Sequence, residues 1–181
     1  MKKANYLFLF FLSFFFECKR ECKENTQSAY TISKTNLDAI LPYKGDEKLN
    51  FLKNGLDTVS FYGQGIKTLY QYTSTQDDCP TKIPLENKYL IFMDSVNGDN
   101  FLLQLYINSV FYTNFLIKIN NSIVSSGADI IDAPRDSVNI IGVQYKNIVY
   151  LENTNYFFYY QFAQKGMIKF KSGNDIFELI P

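Results

Sequence analysis

The chain has no histidine and no tryptophan. Without histidine, a Ser-His-Asp or Cys-His arrangement cannot form, and neither can a metal site that takes an imidazole. The missing tryptophan weakens any reading of its aromatics as a sugar-stacking surface. An excess of either charge is lacking too: 18 Lys and Arg face 18 Asp and Glu. Nucleic-acid binding therefore has no electrostatic footprint. Long helical periodicity is absent, which disfavours alternating strands and helices around a parallel sheet. Cofactor motifs are missing as well. Gly63-Gln64-Gly65 has neither a following helix nor a Lys-Ser/Thr pair, so it reads as a turn and not as a phosphate loop. The run from Asp94 to Asn100 has Val96 at a ligand position and lacks the closing bidentate glutamate of a calcium loop. It reads as a hairpin turn, and no metal or other cofactor is expected.

What is present begins with a leader. Lys2 and Lys3 precede Tyr6 to Phe16, an almost unbroken apolar run, and Glu17, Cys18 and a charged segment follow. This is the layout of a bacterial export signal. As a helix, eleven residues reach about 16 Å against a bilayer core of about 30 Å, too short to span. Residues 1–17 are therefore expected to be a signal peptide and residues 18–35 a flexible tether. Residues 36–181 are expected to form a single domain on the periplasmic or cell-surface face of a membrane. Cys18 stands where a lipoprotein carries its acyl chains. Phe15, Phe16 and Glu17 precede it in place of the usual small residues. Lipid attachment is expected at Cys18, with Cys22 as the alternative, and several acyl chains would hold the domain stably without a spanning helix.

The three cysteines are Cys18, Cys22 and Cys79. With lipid on Cys18, Cys22 and Cys79 are left to pair in an oxidising compartment. Alternatively, Cys22 is a free thiol of the tether and Cys79 a buried apolar side chain.

Beyond a short helical turn at Thr35–Leu41, ended by Pro42, the body reads as strands. Asn54-Gly55 and Asn97-Gly98 each sit between strand-like runs as hairpin signals. Lys82 to Lys88, holding Pro84, reads as a loop, and residues 126–136 as the longest loop. In the last third, runs at 137–141, 143–151, 156–162, 167–171 and 176–180 alternate with turn residues. Ile168 and Phe170 are expected on one face of their strand, opposite Lys169 and Lys171. The fold class is all-β, an antiparallel meander forming a sandwich or a lipocalin-like barrel, with at most one short helix near the N-terminus.

Cys18-Lys19-Arg20-Glu21 and Cys22-Lys23-Glu24-Asn25 lie behind a Phe/Leu-rich leader. The segment from Asn139 to Tyr150 contains Gly142, Tyr145, Asn147, Val149 and Tyr150, with Ile141 where the pattern has Asn. Tyr159-Tyr160, Gly166 to Phe170 and Glu178-Leu179 close the chain. Together these features resemble the small lipoproteins common in Bacteroidetes-type bacteria. The resemblance implies a β-rich surface or periplasmic lipoprotein and brings no activity with it.

Two groups of residues remain as site candidates. Asp129, Asp132 and Asp136 share a loop with Arg135, and paired carboxylates are what a hydrolase acting on a sugar needs. Tyr156, Phe158, Tyr159 and Tyr160 belong to a run of five rings that places aromatics on both faces of one strand. Such rings pack a core, or line a cavity for a small apolar ligand. The leading expectation is a non-enzymatic, lipid-anchored binding or scaffolding module whose partner is another envelope component. A carrier of a small apolar ligand is the second reading, and a carboxylate-based hydrolase the third.

Overall fold

A computed structural model describes residues 23, 25–76, 79–127, 136–152 and 156–181. The expected antiparallel all-β fold forms as a single 13-stranded sheet curled into a half-barrel. The elements are β1 (Asn25–Thr26), α1 (Lys34–Ile40), β2 (Lys48–Lys53), β3 (Asp57–Gly63), β4 (Lys67–Ser74), β5 (Thr81–Asp94), β6 (Asn100–Ile107), β7 (Thr113–Ile119), β8 (Ser122–Gly127), β9 (Asp136–Ile140), β10 (Val143–Glu152), β11 (Tyr156–Gln161), β12 (Gly166–Ser172) and β13 (Asp175–Leu179).

Hairpin chemistry sets the register. Asn54 and Gly55 both take positive φ (53° and 73°), the conformation that lets a tight turn match strand twist, and Leu56 N closes that turn on Lys53 O at 3.0 Å. Asn54, Gly55 and Leu56 join β2 to β3 with Lys53 opposite Asp57. Strand order runs β8-β7-β6-β5-β3-β2-β13-β12-β11-β10-β9, so the last strand closes onto the first hairpin, Phe177 opposite Lys53 and Leu179 opposite Phe51.

The curl follows from what the inner face carries. Phe51, Phe61, Phe92, Phe101, Phe170 and Phe177 are fully buried. Phe101 of β6 meets Phe170 of β12 at a centroid distance of 5.3 Å, and Phe115 of β7 meets Tyr160 of β11 at 5.1 Å. These strands lie far apart in the sheet, so the rings touch only because the sheet rolls over them. Polar contacts lace the same two halves. The Tyr156 hydroxyl bonds Ser122 Oγ at 2.9 Å, and Asn120 Nδ2 donates to Ser172 Oγ at 2.7 Å.

α1 starts at Ser33, whose Oγ accepts from Asn36 N at 3.1 Å, and stops before Pro42. It lies against β11: the Tyr160 hydroxyl donates to Ile40 O at 2.6 Å, and Ala163 N donates to Ala39 O at 2.7 Å.

Two expectations need correcting. Pairing with the sheet extends to residues before 36, because Asn25–Thr26 pair in parallel with Thr81–Lys82 and Tyr30 pairs with Leu85. The segment around Pro84 is no loop but the first half of the 14-residue β5. Gln27 N donates to Lys82 O and Tyr30 N to Pro84 O, so the N-terminal segment carries one residue more than β5 between these bonds. The N–H that proline lacks falls at this irregularity, where no regular ladder bond calls for it. The alternation expected in β12 is present: Ile168 and Phe170 are fully buried while Lys169 and Lys171 are half-buried, and Met167 is buried as well, beside a register shift opposite Tyr159 and Tyr160.

Candidate functional site

The aromatic run separates into two roles. Phe158 and Tyr160 are fully buried. Tyr160 packs on Phe115 and Phe162, with centroids at 5.1 Å in both cases, and its hydroxyl is held by α1. Burial pushes the phenol of Tyr160 well above its ordinary value, with the nearby Tyr43 acting in the same direction. Tyr160 therefore faces the interior, packed against rings and held by α1. Tyr156 and Tyr159 are half-buried, and Tyr159 lies beside Tyr150 at 4.9 Å.

Cys79 is exposed and disulfide-bonded, which removes the alternative of a buried apolar thiol. Cys18 and Cys22 lie outside the described residues, as do Asp129, Asp132 and Arg135. Asp136 is exposed at the start of β9. Asp94 ends β5, and its carboxylate caps the expected hairpin turn. Burial raises its carboxyl pKa, but hydrogen bonds from Val96 N, Asn97 N and Asn97 Nδ2, together with Lys53, outweigh that and hold it below the ordinary value. Among the described residues no group of His, Cys, Asp and Glu stands where it holds a metal ion, and no helix is long and apolar enough to cross a membrane. A cleft of about 440 Å³ opens between α1 and the β11–β12 turn, lined by Asn36, Asn147 and Gln164 among others; it contains no acid or base.

The unusual surface is at the β6–β7 turn. Asn108 organises it: its Oδ1 accepts from Val110 N at 3.1 Å and Tyr112 N at 2.9 Å, while its carbonyl accepts from Phe111 N at 2.9 Å. Phe111 is left at φ +65°, a left-handed conformation that a bulky side chain rarely adopts. Such strain persists only where surrounding contacts over-determine it. The result is a tip that presents apolar groups to solvent: Val110, Phe111 (43% exposed) and Tyr112 (68% exposed).

The N-terminal segment completes this tip. Tyr30 N donates to Pro84 O at 2.9 Å and Glu86 N to Tyr30 O at 3.0 Å, laying the segment along β5 as a strap. Ile32 N donates to Glu86 Oε2 at 2.7 Å, and Lys88 Nζ meets Glu86 Oε1 at 3.0 Å. The strap delivers the Tyr30 ring onto Phe111, stacked at 4.4 Å. The local sequence signal for this turn is Asn108, whose short amide side chain caps turn backbone.

No family of known proteins matches the chain, and no curated protein or solved structure matches it either.

Proposed function

We propose that this protein is a lipid-anchored envelope protein without catalytic activity, a binding or scaffolding module that meets the membrane surface through the Tyr30–Phe111 tip. The observation that carries this reading is the stack itself: the strap that follows the acylation site ends in an exposed aromatic cluster. Asn25 stands seven positions after Cys18, a fully extended reach of about 23 Å, so the strap begins within a short peptide of the bilayer. Tyrosine and phenylalanine at such a surface suit an interface where one end of the ring is wet and the other apolar. The packed interior favours an outer surface over an internal cavity as the place of binding.

The cysteines divide accordingly. Cys79 is disulfide-bonded, and Asn25 sits opposite Thr81 in parallel register. Continued two positions back, that register would set position 23 opposite position 79, one residue from Cys22 and five from Cys18. That register supports Cys22 as the partner of Cys79 and leaves Cys18 for lipid.

Metabolic labelling with palmitate tests the anchor. Cys18→Ser is expected to lose the label and Cys22→Ser to keep it; equal labelling of Cys18→Ser and the unsubstituted chain would remove the anchor from the proposal. For the tip, the full chain carrying Phe111→Ser and Tyr112→Ser is expected to lose protection of the tip from proteases by added vesicles. Unchanged protection would separate the tip from the membrane while leaving the anchor intact.

A further inference from the structure

β4 is an edge strand with none of the usual protection. It pairs with β5 in unbroken register from Lys67–Tyr89 to Ser74–Lys82, without a bulge. It has no proline, and its one charge, Lys67, sits at its end. Seven of its eight residues are exposed and the other half-buried, with Tyr70 at 46% and Tyr72 at 65%. No other strand pairs with β4 among the described residues. Long, uncharged edges of this kind are templates for further pairing, and proteins that stay monomeric blunt them.

The sequence of β4 says what fits there. Tyr70-Gln71-Tyr72 is symmetric about Gln71, and the hydroxyl residues Thr68 and Ser74 stand at equal distance on either side, with Leu69 matched by Thr73. An antiparallel pair of identical strands with a two-fold axis at Gln71 places Tyr70 opposite Tyr72 of the other copy, and Thr68 opposite Ser74. Side chains at positions 70 and 72 lie on one face of the strand, so four rings would gather there, while the two Gln71 amides meet on the axis. Lys67 falls opposite Thr75, so no like charges oppose one another. Self-complementarity is what a two-fold contact requires, and a foreign strand would place no such demand on the sequence.

We infer that β4 is a homodimerisation edge: two copies pair antiparallel about Gln71 and join their sheets into one. This inference stands independently of the lipid anchor and of the aromatic tip.

Cysteine crosslinking tests the register. Gln71→Cys in the full chain, oxidised in intact bacterial cells and run on a non-reducing gel, is expected to give a covalent homodimer absent from the unsubstituted chain. Leu69→Cys, off the axis and opposite Thr73, is expected to lack that band. Gln71→Lys places two ammonium groups on the axis, and the detergent-solubilised chain is expected to sediment as a monomer where the unsubstituted chain sediments as a dimer. Because position 71 is exposed, circular dichroism should show the folded state unchanged. A monomeric unsubstituted chain would overturn the inference, as would a dimeric Gln71→Lys chain, equal crosslinking at positions 69 and 71, or a crosslink to a different protein.

Discussion

Replacing Gly166 with alanine tests the way the N-terminal segment is locked into the sheet. Gly166 opens β12 at φ +71°, and a Cβ built there would stand 2.0 Å from the Tyr43 hydroxyl oxygen and 2.3 Å from its Cζ. The ring cannot swing aside. Its hydroxyl donates to Lys165 O at 3.0 Å and accepts from Met167 N at 2.7 Å, and the ring packs edge-on against Phe92 at 4.9 Å. Three costs follow. A left-handed alanine costs about 1–2 kcal/mol. Overpacking a filled site costs about 1–3 kcal/mol. Displacing the phenol leaves the buried Met167 N–H without its acceptor, about 1–3 kcal/mol. Gly166→Ala should therefore destabilise the fold by roughly 4 kcal/mol or more, a large share of the roughly 5–15 kcal/mol typical of a domain. Urea unfolding followed by circular dichroism reads this directly. The decisive comparison is a double-mutant cycle with Tyr43→Ala. In that background Gly166→Ala meets no ring, and its cost should fall to the backbone strain of about 1–2 kcal/mol. A Gly166→Ala cost below about 1 kcal/mol, or the same cost in both backgrounds, refutes the clamp.

Further outcomes follow from other parts of the sheet. Ile141 and Gly142 form the two-residue turn between β9 and β10, both at positive φ (49° and 75°), and Ile141 is a β-branched residue in a conformation asparagine tolerates better. Ile141→Asn should raise stability by about 1 kcal/mol, measured as a shift in urea midpoint; a lower midpoint would count against the turn assignment. Burial pushes the phenols of Tyr43 and Tyr160 upward, so the folded chain keeps both protons where the unfolded chain loses them. Stability should be level below about pH 10 and fall above it, by up to about 1.4 kcal/mol per pH unit for each tyrosine, with the slope reduced in Tyr43→Phe. The Asp94 carboxyl is held low by its turn donors despite burial, and that of Asp175 by the Lys53 hydrogen bond. Their contribution is present above the unfolded carboxylate value of about 4 and should be lost as pH falls through the folded values, with Asp175→Asn flattening part of the acid limb. Glu86→Leu leaves the buried Ile32 N–H without its acceptor, and hydrogen exchange at Ile32 should accelerate while exchange in β12 stays unchanged.

The sequence disclosed the elements whose signals are local. Asn54-Gly55 announced its hairpin because only residues that accept positive φ on successive positions fit that turn, and both do so here. Pro42 marked the end of α1 by a steric stop, and the structure adds a side-chain cap from Ser33 at its start. Pairing between distant segments left no such trace. The closure of β13 onto β2 joins residues more than a hundred positions apart, and nothing in Phe177 or Lys53 alone names its partner. Pro84 misled for the same reason: proline argues for a loop unless an irregularity covers the missing donor, and that irregularity belongs to a strap some fifty residues earlier.

The aromatic residues show where composition stops being informative. An excess of rings predicted either a packed core or a lined cavity, and Tyr159 and Tyr160 carry identical chemistry in adjacent positions. A strand turns successive side chains to opposite faces, so neighbours of one type take opposite roles once the curl gives the sheet an inside. Tyr160 lies inside, where its hydroxyl needs the Ile40 carbonyl supplied by α1. Removing that hydroxyl with Tyr160→Phe would leave the Ile40 carbonyl unpaired and cost about 1–3 kcal/mol. The same change at Tyr159, half-buried beside Tyr150, should cost less than about 0.5 kcal/mol. Equal costs at the two positions would mean that α1 does not depend on this bond, and that the helix is held by Ile40 and Leu41 packing alone.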